Sequence, residues 1–509
     1  MKQAFNPYLP SYEYVPDGEP HVFENRLYIY GSHDRFNGAA FCLNDYISYS
    51  ADLKDLTNWR YEGVIYRKSQ DPVNQNIPAD APAPKPDLDL KEDDIPGGSL
   101  NPPGIHAMWA PDVARGPDGR YYLYYCMDTL PVIGVAVCDT PAGSYEYYGR
   151  VRYPDGTPLG ERPGDHIQFD PGILVDDDGA IYLYSGNAPM YPKEGPCRKK
   201  SQVMQLESDM LTLKTRPHPL LPDVFDSSGT GFEGHEFFEA SSIRKIGSVY
   251  YLIYSSVRSH ELCYAVSDKP DSGFCFGGTV VDIGDVFLNS RTEKDTLNCL
   301  GNTHGGIECA EGQWYVFYHR QTNRTQFSRQ ACAEKIYILP DGSIPQTEVT
   351  SCGLNKGPLA GKGVYPARIC CRLTGKDGIP FSGPREMDDR FPFLTQDIPD
   401  VSPDEVPEDL DKTEPVQYIS NLRDGTTVGY KYFDLKETKE IVLTLRGSFV
   451  GRVTVLSDSE TACGQSRIFC DTPEWKVFPL PAALPENARS LSFRFEGKGR
   501  LDFLSFTLK

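Results

Sequence analysis

The chain has 509 residues, enough for two or three domains or for one large β-architecture with an accessory. Its formal net charge of −20, from 51 Lys and Arg against 71 Asp and Glu, argues against nucleic acid or an anionic membrane as partner, because the average field repels both. Aromatic residues make up 12% of the chain, with 31 Tyr but only 4 Trp, a composition that suits strands and also suits stacking against sugars.

The first residues, Met1 to Pro7, carry no apolar leader, and nowhere does an apolar run reach the ~18 residues of a membrane span, so a cytoplasmic location is expected. The 14 Cys show no C-x-x-C spacing, and free thiols are expected rather than a disulfide framework.

In chain order, one Tyr-rich strand pattern recurs five times, at 26–31, 120–125, 180–185, 249–254 and 313–318. Four copies follow turn residues such as Gly116-Pro-Asp-Gly119, as the second strand of a hairpin does. Tyr28, Tyr122, Tyr182, Tyr251 and Tyr315 are then equivalent, at spacings of 94, 60, 69 and 64 residues, each long enough for a four-stranded blade. The long first interval contains a Pro- and Asp-rich insertion from Asp71 to Gly104, expected as a surface loop. Val135–Asp139 and Tyr264–Asp268 form a second blade marker, each followed by Pro and Gly after a short step. The pattern predicts a five-bladed β-propeller over residues 1–355.

First strands of propeller blades line the central channel, so residues at one offset before the repeated Tyr should face one place. Asp17, Asp112, Asp170, Glu239 and His304 stand 11, 10, 12, 12 and 11 residues before it. Apolar neighbours in Trp109-Ala-Pro-Asp112, Phe169-Asp-Pro171 and Phe237-Phe-Glu-Ala240 would push the pKa values of such carboxylates apart. Gathered carboxylates are what glycosidic hydrolysis needs: a protonated acid for the leaving oxygen and an ionised base for water. The competing reading is that each Asp only caps a turn.

These motifs, in this order over roughly the first 350 residues, resemble glycoside hydrolase family 43. The resemblance implies Asp17, in Pro16-Asp-Gly-Glu-Pro-His-Val-Phe23, as general base, with Gly18 where the family usually has Pro and Glu19 as a weaker competitor. It implies Asp170, in Gln168-Phe-Asp-Pro-Gly172, as the residue that orients the acid and tunes its pKa, leaving Asp176–Asp178 as a turn. It implies Glu239, in Phe238-Glu-Ala-Ser-Ser242, as proton donor. His304, in Gly301-Asn-Thr-His-Gly-Gly306, resembles the axial histidine that holds water or a structural calcium ion. Arg329 matches a sugar-contacting arginine, and Trp109 resembles an aromatic pocket wall, with core packing as the alternative. Asp112 has the alternative of bonding backbone amides. No cofactor is expected to be required.

After about residue 355 the blade signature stops, no His follows residue 319, and an acidic, Pro-rich stretch at 397–415 reads as loop or linker. Thr427–Leu435, Ile441–Gly447 and Gly497–Phe503 resemble a carbohydrate-binding module of family 6 type, so a jelly-roll β-sandwich is expected over 356–509, as glycan binder or as buttress. The family resemblance implies an inverting hydrolase of terminal α-L-arabinofuranosides or β-D-xylosides in plant oligosaccharides, with carboxyl groups about 6.5–9.5 Å apart rather than about 5–5.5 Å. Alternatives are action on galactofuranosides or galactans, and a catalytically inactive glycan-binding propeller. A phosphorylase would need a basic phosphate cluster that Arg329 alone does not supply.

Overall fold

The computed structural model describes residues 3–36, 38, 40–76, 105–191, 199–379, 390–397, 416–458 and 460–509. Five antiparallel sheets form the propeller. Blade 1 consists of Glu19–Phe23, Arg26–Tyr30, Tyr46–Asp52 and Asp55–Tyr66, and blade 2 of Met108–Arg115, Tyr121–Met127, Ile133–Cys138 and Glu146–Arg150. Blade 3 runs Gly172–Val175, Ile181–Ser185, Gln202–Leu206 and His218–Pro219, and blade 4 runs Phe237–Ile246, Val249–Ser256, Glu261–Ser267 and Cys275–Asp282. Blade 5 has Ile307–Ala310, Gln313–Gln321 and Arg329–Ile336. Each Tyr-rich segment is the second strand of its blade, and the innermost strands touch in the order 5-1-2-3-4. The backbone N–H of Tyr8 donates to Ala331 O at 3.1 Å, tying the first residues to blade 5.

The Tyr repeat has a physical purpose between blades. A ring buried at a blade interface still needs a partner for its hydroxyl. Tyr30 of blade 1 donates to Pro141 O of blade 2 (2.8 Å), and Tyr124 of blade 2 to Met210 O of blade 3 (2.6 Å). Tyr184 of blade 3 donates to Pro270 O of blade 4 (2.6 Å). Pro141 and Pro270 are the prolines that follow the two Asp-ended blade markers, so marker and repeat are two halves of one contact.

Two loop expectations change. Asp71 is fully buried: it accepts from Tyr125 Oη (2.5 Å) and Arg150 (2.6 Å) and caps a 3-10 turn, so the first residues of the insertion are packed under blade 2. Residues 77–104 of the insertion and 398–415 of the expected linker lie outside the described residues. Asp176 is likewise more than a turn residue, because it accepts from Lys245 Nζ (2.6 Å) and Tyr250 Oη (2.5 Å) of blade 4. The 13 cysteines among the described residues are all free.

The C-terminal unit is one curled antiparallel sheet. Ser490–Leu508 pairs along its length with Glu440–Leu456, which pairs in turn with Ala462–Pro481. The other edge of Ser490–Leu508 takes, in succession, Thr427–Lys431, Gln417–Leu422 and Gly363–Pro366. Curling encloses a core of Tyr430, Phe433, Phe449, Phe493, Phe495, Phe503 and Phe506 with aliphatic neighbours. This sheet seats on blades 4 and 5. Leu394 N donates to Thr322 O (2.8 Å), Asn298 Nδ2 to Cys371 O (2.8 Å), and Lys431 pairs with Asp285 (3.1 Å). Among the described residues no helix is long and apolar enough to cross a membrane.

Candidate active site

The loops and strand starts that precede the second strands bring Asp17, Asp170, Glu239 and His304 to one end of the channel, where the start of blade 5's third strand adds Arg329; all of them are buried except Glu239, which is partly exposed. Asp17 (φ 56°) and Asp170 (φ 41°) sit in left-handed backbone just before their strands, and Ala240 (φ 71°) follows Glu239. Such φ values cost energy for residues with a Cβ and gather where a site over-determines them. Around Glu239 the blade 4 pairing slips register on both sides, and this bulge re-aims the side chain out of the strand's ordinary alternation.

Arg329 organises the base side. Its Nε and NH2 form a fork on Asp34 (2.8 and 3.0 Å), and its backbone N–H also donates to Asp34 (3.1 Å). NH1 is thereby left to donate to Asp17 Oδ1 at 3.0 Å, with the guanidinium 4.6 Å above the Phe41 ring. His319 donates from Nε2 to Asn302 O (2.9 Å), so its Nδ1 is free to accept from the Asp17 backbone N–H (3.1 Å). His304 Nδ1 lies 3.5 Å from Asp170 Oδ2 and 3.9 Å from Asp17 Oδ1. Asp170 accepts at Oδ1 from the Cys126 thiol (3.7 Å), and Asn187 Nδ2 donates to Glu239 Oε2 (3.2 Å).

The environment sets these groups apart. Burial works against ionisation of Asp17, but Arg329, with the two histidines, outweighs it and holds that carboxyl below the usual range. Burial, reinforced by the charge on Asp17, pushes Glu239 up to about 8. Burial and then the neighbouring Glu239 and Asp17 raise Asp170. Burial drives His304 down to about 4 and His319 down to about 3, so both rings are neutral near pH 7. The cluster thus holds one carboxylate ready to accept a proton and one carboxylic acid ready to give one.

Two sequence candidates lie elsewhere. Asp112 is inside its strand rather than before it: Oδ1 accepts from Val113 N (2.6 Å) and lies 2.6 Å from His21 Nε2, while Oδ2 accepts from Ile173 N (2.7 Å). Its oxygens are spent on the backbone and on His21, so it does not join the cluster at the mouth. Glu19 points into the channel, accepting from Ser242 Oγ (2.8 Å) and pairing with Arg244 (2.8 Å). Trp109 is half-buried, edge-on to Phe169 (5.1 Å) and Phe41 (6.2 Å), so it both packs and faces the Arg329–Phe41 side of the mouth.

Sequence reading passed over Asp34, Phe41, Cys126, Asn187 and His319. A signal existed for part of this set: the residue four after the repeated Tyr is Cys126, Gly186 or His319 in blades 2, 3 and 5, the position at which the second strand reaches the mouth.

A model of the family described as glycosyl hydrolases family 43 matches residues 22–344. A xylosidase/arabinosidase of Thermoclostridium stercorarium is 48% identical over the whole chain and 99% of its own length. Xylosidase/arabinosidase 43A of Humicola insolens is 29% identical over 65% of this chain and 96% of its own. Among solved structures, a family 43 arabinoxylan arabinofuranohydrolase from Bacillus subtilis, in complex with cellotetraose, aligns over 99% of this chain and 97% of its own with TM-score 0.49 and 19% identity. With the family model covering well over half of its length and a full-length relative at nearly half identity, this chain belongs to glycosyl hydrolases family 43.

Proposed function

We propose that the protein removes terminal pentosyl residues, α-L-arabinofuranosyl or β-D-xylosyl, from plant-derived oligosaccharides by single displacement with inversion. The observation that carries this reading is the opposed setting of two carboxyls in one mouth, buried Asp17 below its ordinary range and partly exposed Glu239 raised to about 8. Asp17 takes a proton from the attacking water, and Glu239 gives its proton to the departing oxygen. Burial and the charge on Asp17 favour the protonated form of Glu239, and Asp170, beside neutral His304, is assigned the orientation of that acid. Arg329 fixes Asp17 and offers a cation at the sugar-binding end of the mouth. The choice of pentose follows the relatives named xylosidase/arabinosidase, which share the whole chain or its propeller.

No cofactor enters either proton transfer. A calcium shell asks for six to eight oxygens. His304 brings one ring nitrogen, and the carboxylates beside it are those of Asp17 and Asp170. The two groups of described side chains close enough to share an ion, Glu19–His21–Asp112 and His235–Glu261–Cys263, do not include it. These residues do not by themselves make a calcium shell, and no step is assigned to one. The C-terminal sheet is read as a buttress, because its strand Phe393–Gln396 bonds Thr322, in the loop that leads to Arg329.

Hydrolysis of aryl α-L-arabinofuranoside, β-D-xyloside, β-D-galactofuranoside and β-D-galactoside, with native protein and Glu239→Gln, tests the reading. Release from a pentoside that is lost or strongly reduced in the variant is expected. Release only from a galactoside would replace the substrate, and undiminished release by the variant would remove Glu239 from the acid role.

A further inference from the structure

Asn187 stands at a junction that the mechanism above does not use. Blade 3's second strand ends at Ser185, and the next three residues cross from the segment carrying Asp170 toward the strand carrying Glu239. Gly186 N donates to Phe169 O (2.8 Å), the residue before Asp170; Ala188 N donates to Phe238 O (2.7 Å), the residue before Glu239. Gly186 has φ 137°, and a Cβ there would fall 1.9 Å from Lys200 O, so the crossing is open only to glycine. A segment pinned on both sides leaves the Asn187 side chain little choice of direction, and its Nδ2 donates to Glu239 Oε2 at 3.2 Å.

From this geometry we infer that Asn187 is a positioning residue for the proton donor: its amide N–H selects which carboxyl oxygen of Glu239 carries the proton that goes to the leaving group. The inference rests on Glu239 being the acid. An amide N–H needs an acceptor, so Oε2 presents a lone pair to Asn187 and the acidic proton sits on Oε1. As the glycosidic bond breaks, the proton passes from Oε1 to the leaving oxygen, and the carboxylate formed on Glu239 keeps the same donor, now a charge-assisted bond. Donation therefore grows stronger along the reaction, the condition for an interaction to speed the chemical step. It also opposes the upward push of burial on Glu239, the direction in which Asn187 acts on that group.

The test compares native protein, Asn187→Ala and Asn187→Asp on two pentosides, one with a nitrophenyl leaving group and one with an alkyl or sugar leaving group that cannot depart unprotonated. Asn187→Ala is expected to move the basic limb of kcat/KM upward by roughly half to one pH unit, and to slow the unactivated substrate about tenfold while slowing the nitrophenyl substrate less than about twofold. Asn187→Asp, which replaces the donor by an acceptor, is expected to shift the limb further and is the variant of record if the alanine protein does not fold. Equal slowing of both substrates with an unmoved basic limb in a folded variant would overturn the inference. Glu239→Gln in parallel separates the two levels: if it abolishes turnover of the unactivated substrate while the Asn187 variants leave the limb in place, only the positioning role falls. If it leaves that turnover intact, the acid assignment falls and the positioning role with it.

Discussion

The mouth of the propeller and the channel lined by its innermost strands are built from the same residue types and do opposite things with them. In the channel, Glu19, His21, Asp112, Arg244 and Glu308 come from the innermost strands of blades 1, 2, 4 and 5, and Asp112 also takes the Ile173 amide of blade 3. Arg244 also donates to Pro20 O and lies 3.5 Å from Glu308. Every blade contributes, and charge is met by charge or by a backbone donor. At the mouth, Arg329 bonds Asp17 but not Glu239, which has, among the described residues, one amide donor and the more distant charge of Lys199. The difference shows how one set of side chains serves as a lock when opposite charges are paired across the blades and as an acid–base pair when they are left unequal.

The comparison is broken most sharply by removing the mouth groups. Glu239→Gln and Asp17→Asn are each expected to lower kcat on unactivated pentosides by about 10²–10⁴-fold; near pH 7 Glu239→Gln, which replaces a protonated carboxyl by a neutral amide, should hold the melting temperature, whereas Asp17→Asn, which takes a stabilised carboxylate away from Arg329, should lower it. The channel should answer in the other way. Arg244→Met leaves Glu19 and Glu308 buried without their cation, and a loss of about 3–5 kcal/mol is expected in urea unfolding; kcat per folded molecule should stay near native.

pH sharpens the contrast within the mouth. Glu239, raised to about 8, must be protonated and Asp17, held low, must be ionised, so kcat/KM should fall as pH rises through about 8 and persist below the ordinary carboxylate range. Stability follows the same groups. The raised Glu239 holds a proton in the folded state that the unfolded chain has already lost, so its contribution declines as pH climbs from the ordinary Glu value toward 8. The lowered Asp17 contributes above its unfolded value and loses that contribution as pH falls through its folded one. Glu239→Gln should flatten the first of these slopes in urea titrations. The smallest effect is expected far from both clusters. In the C-terminal sheet Arg446 lies over Trp475 (4.3 Å) and Tyr418 (4.6 Å) and pairs with Asp502 (3.0 Å) and Asp397 (2.9 Å). Arg446→Ala should cost about 1 kcal/mol and leave kcat/KM unchanged.

The blades were legible because a strand buried on both faces repeats a near-identical apolar pattern, and its tyrosines repeat with it. The equal offsets placed Asp17, Asp170, Glu239 and His304 because each precedes its second strand by one hairpin. Asp112 departed from that rule because its inner strand begins earlier, at Met108, which turns the side chain into the channel. Glu19 went the same way, as the first residue of its strand rather than one before it. Asp34 and Phe41 had no periodic signal: they come from the long connection between Tyr30 and Tyr46, where no repeat constrains the spacing. The curl of the C-terminal sheet was also beyond alternation alone, since one strand serving three partners in succession leaves the same in-out pattern as three ordinary pairings.

The most direct test of the division between base and acid is the first anomer released. Proton NMR during rapid hydrolysis of a β-D-xyloside, at protein concentrations that outrun mutarotation, should show α-D-xylose first and β-D-xylose only as the sugar equilibrates, the signature of water delivered by Asp17 opposite the leaving group. β-D-xylose as the first product would mean that a carboxylate attacks the sugar itself, and would contradict the account.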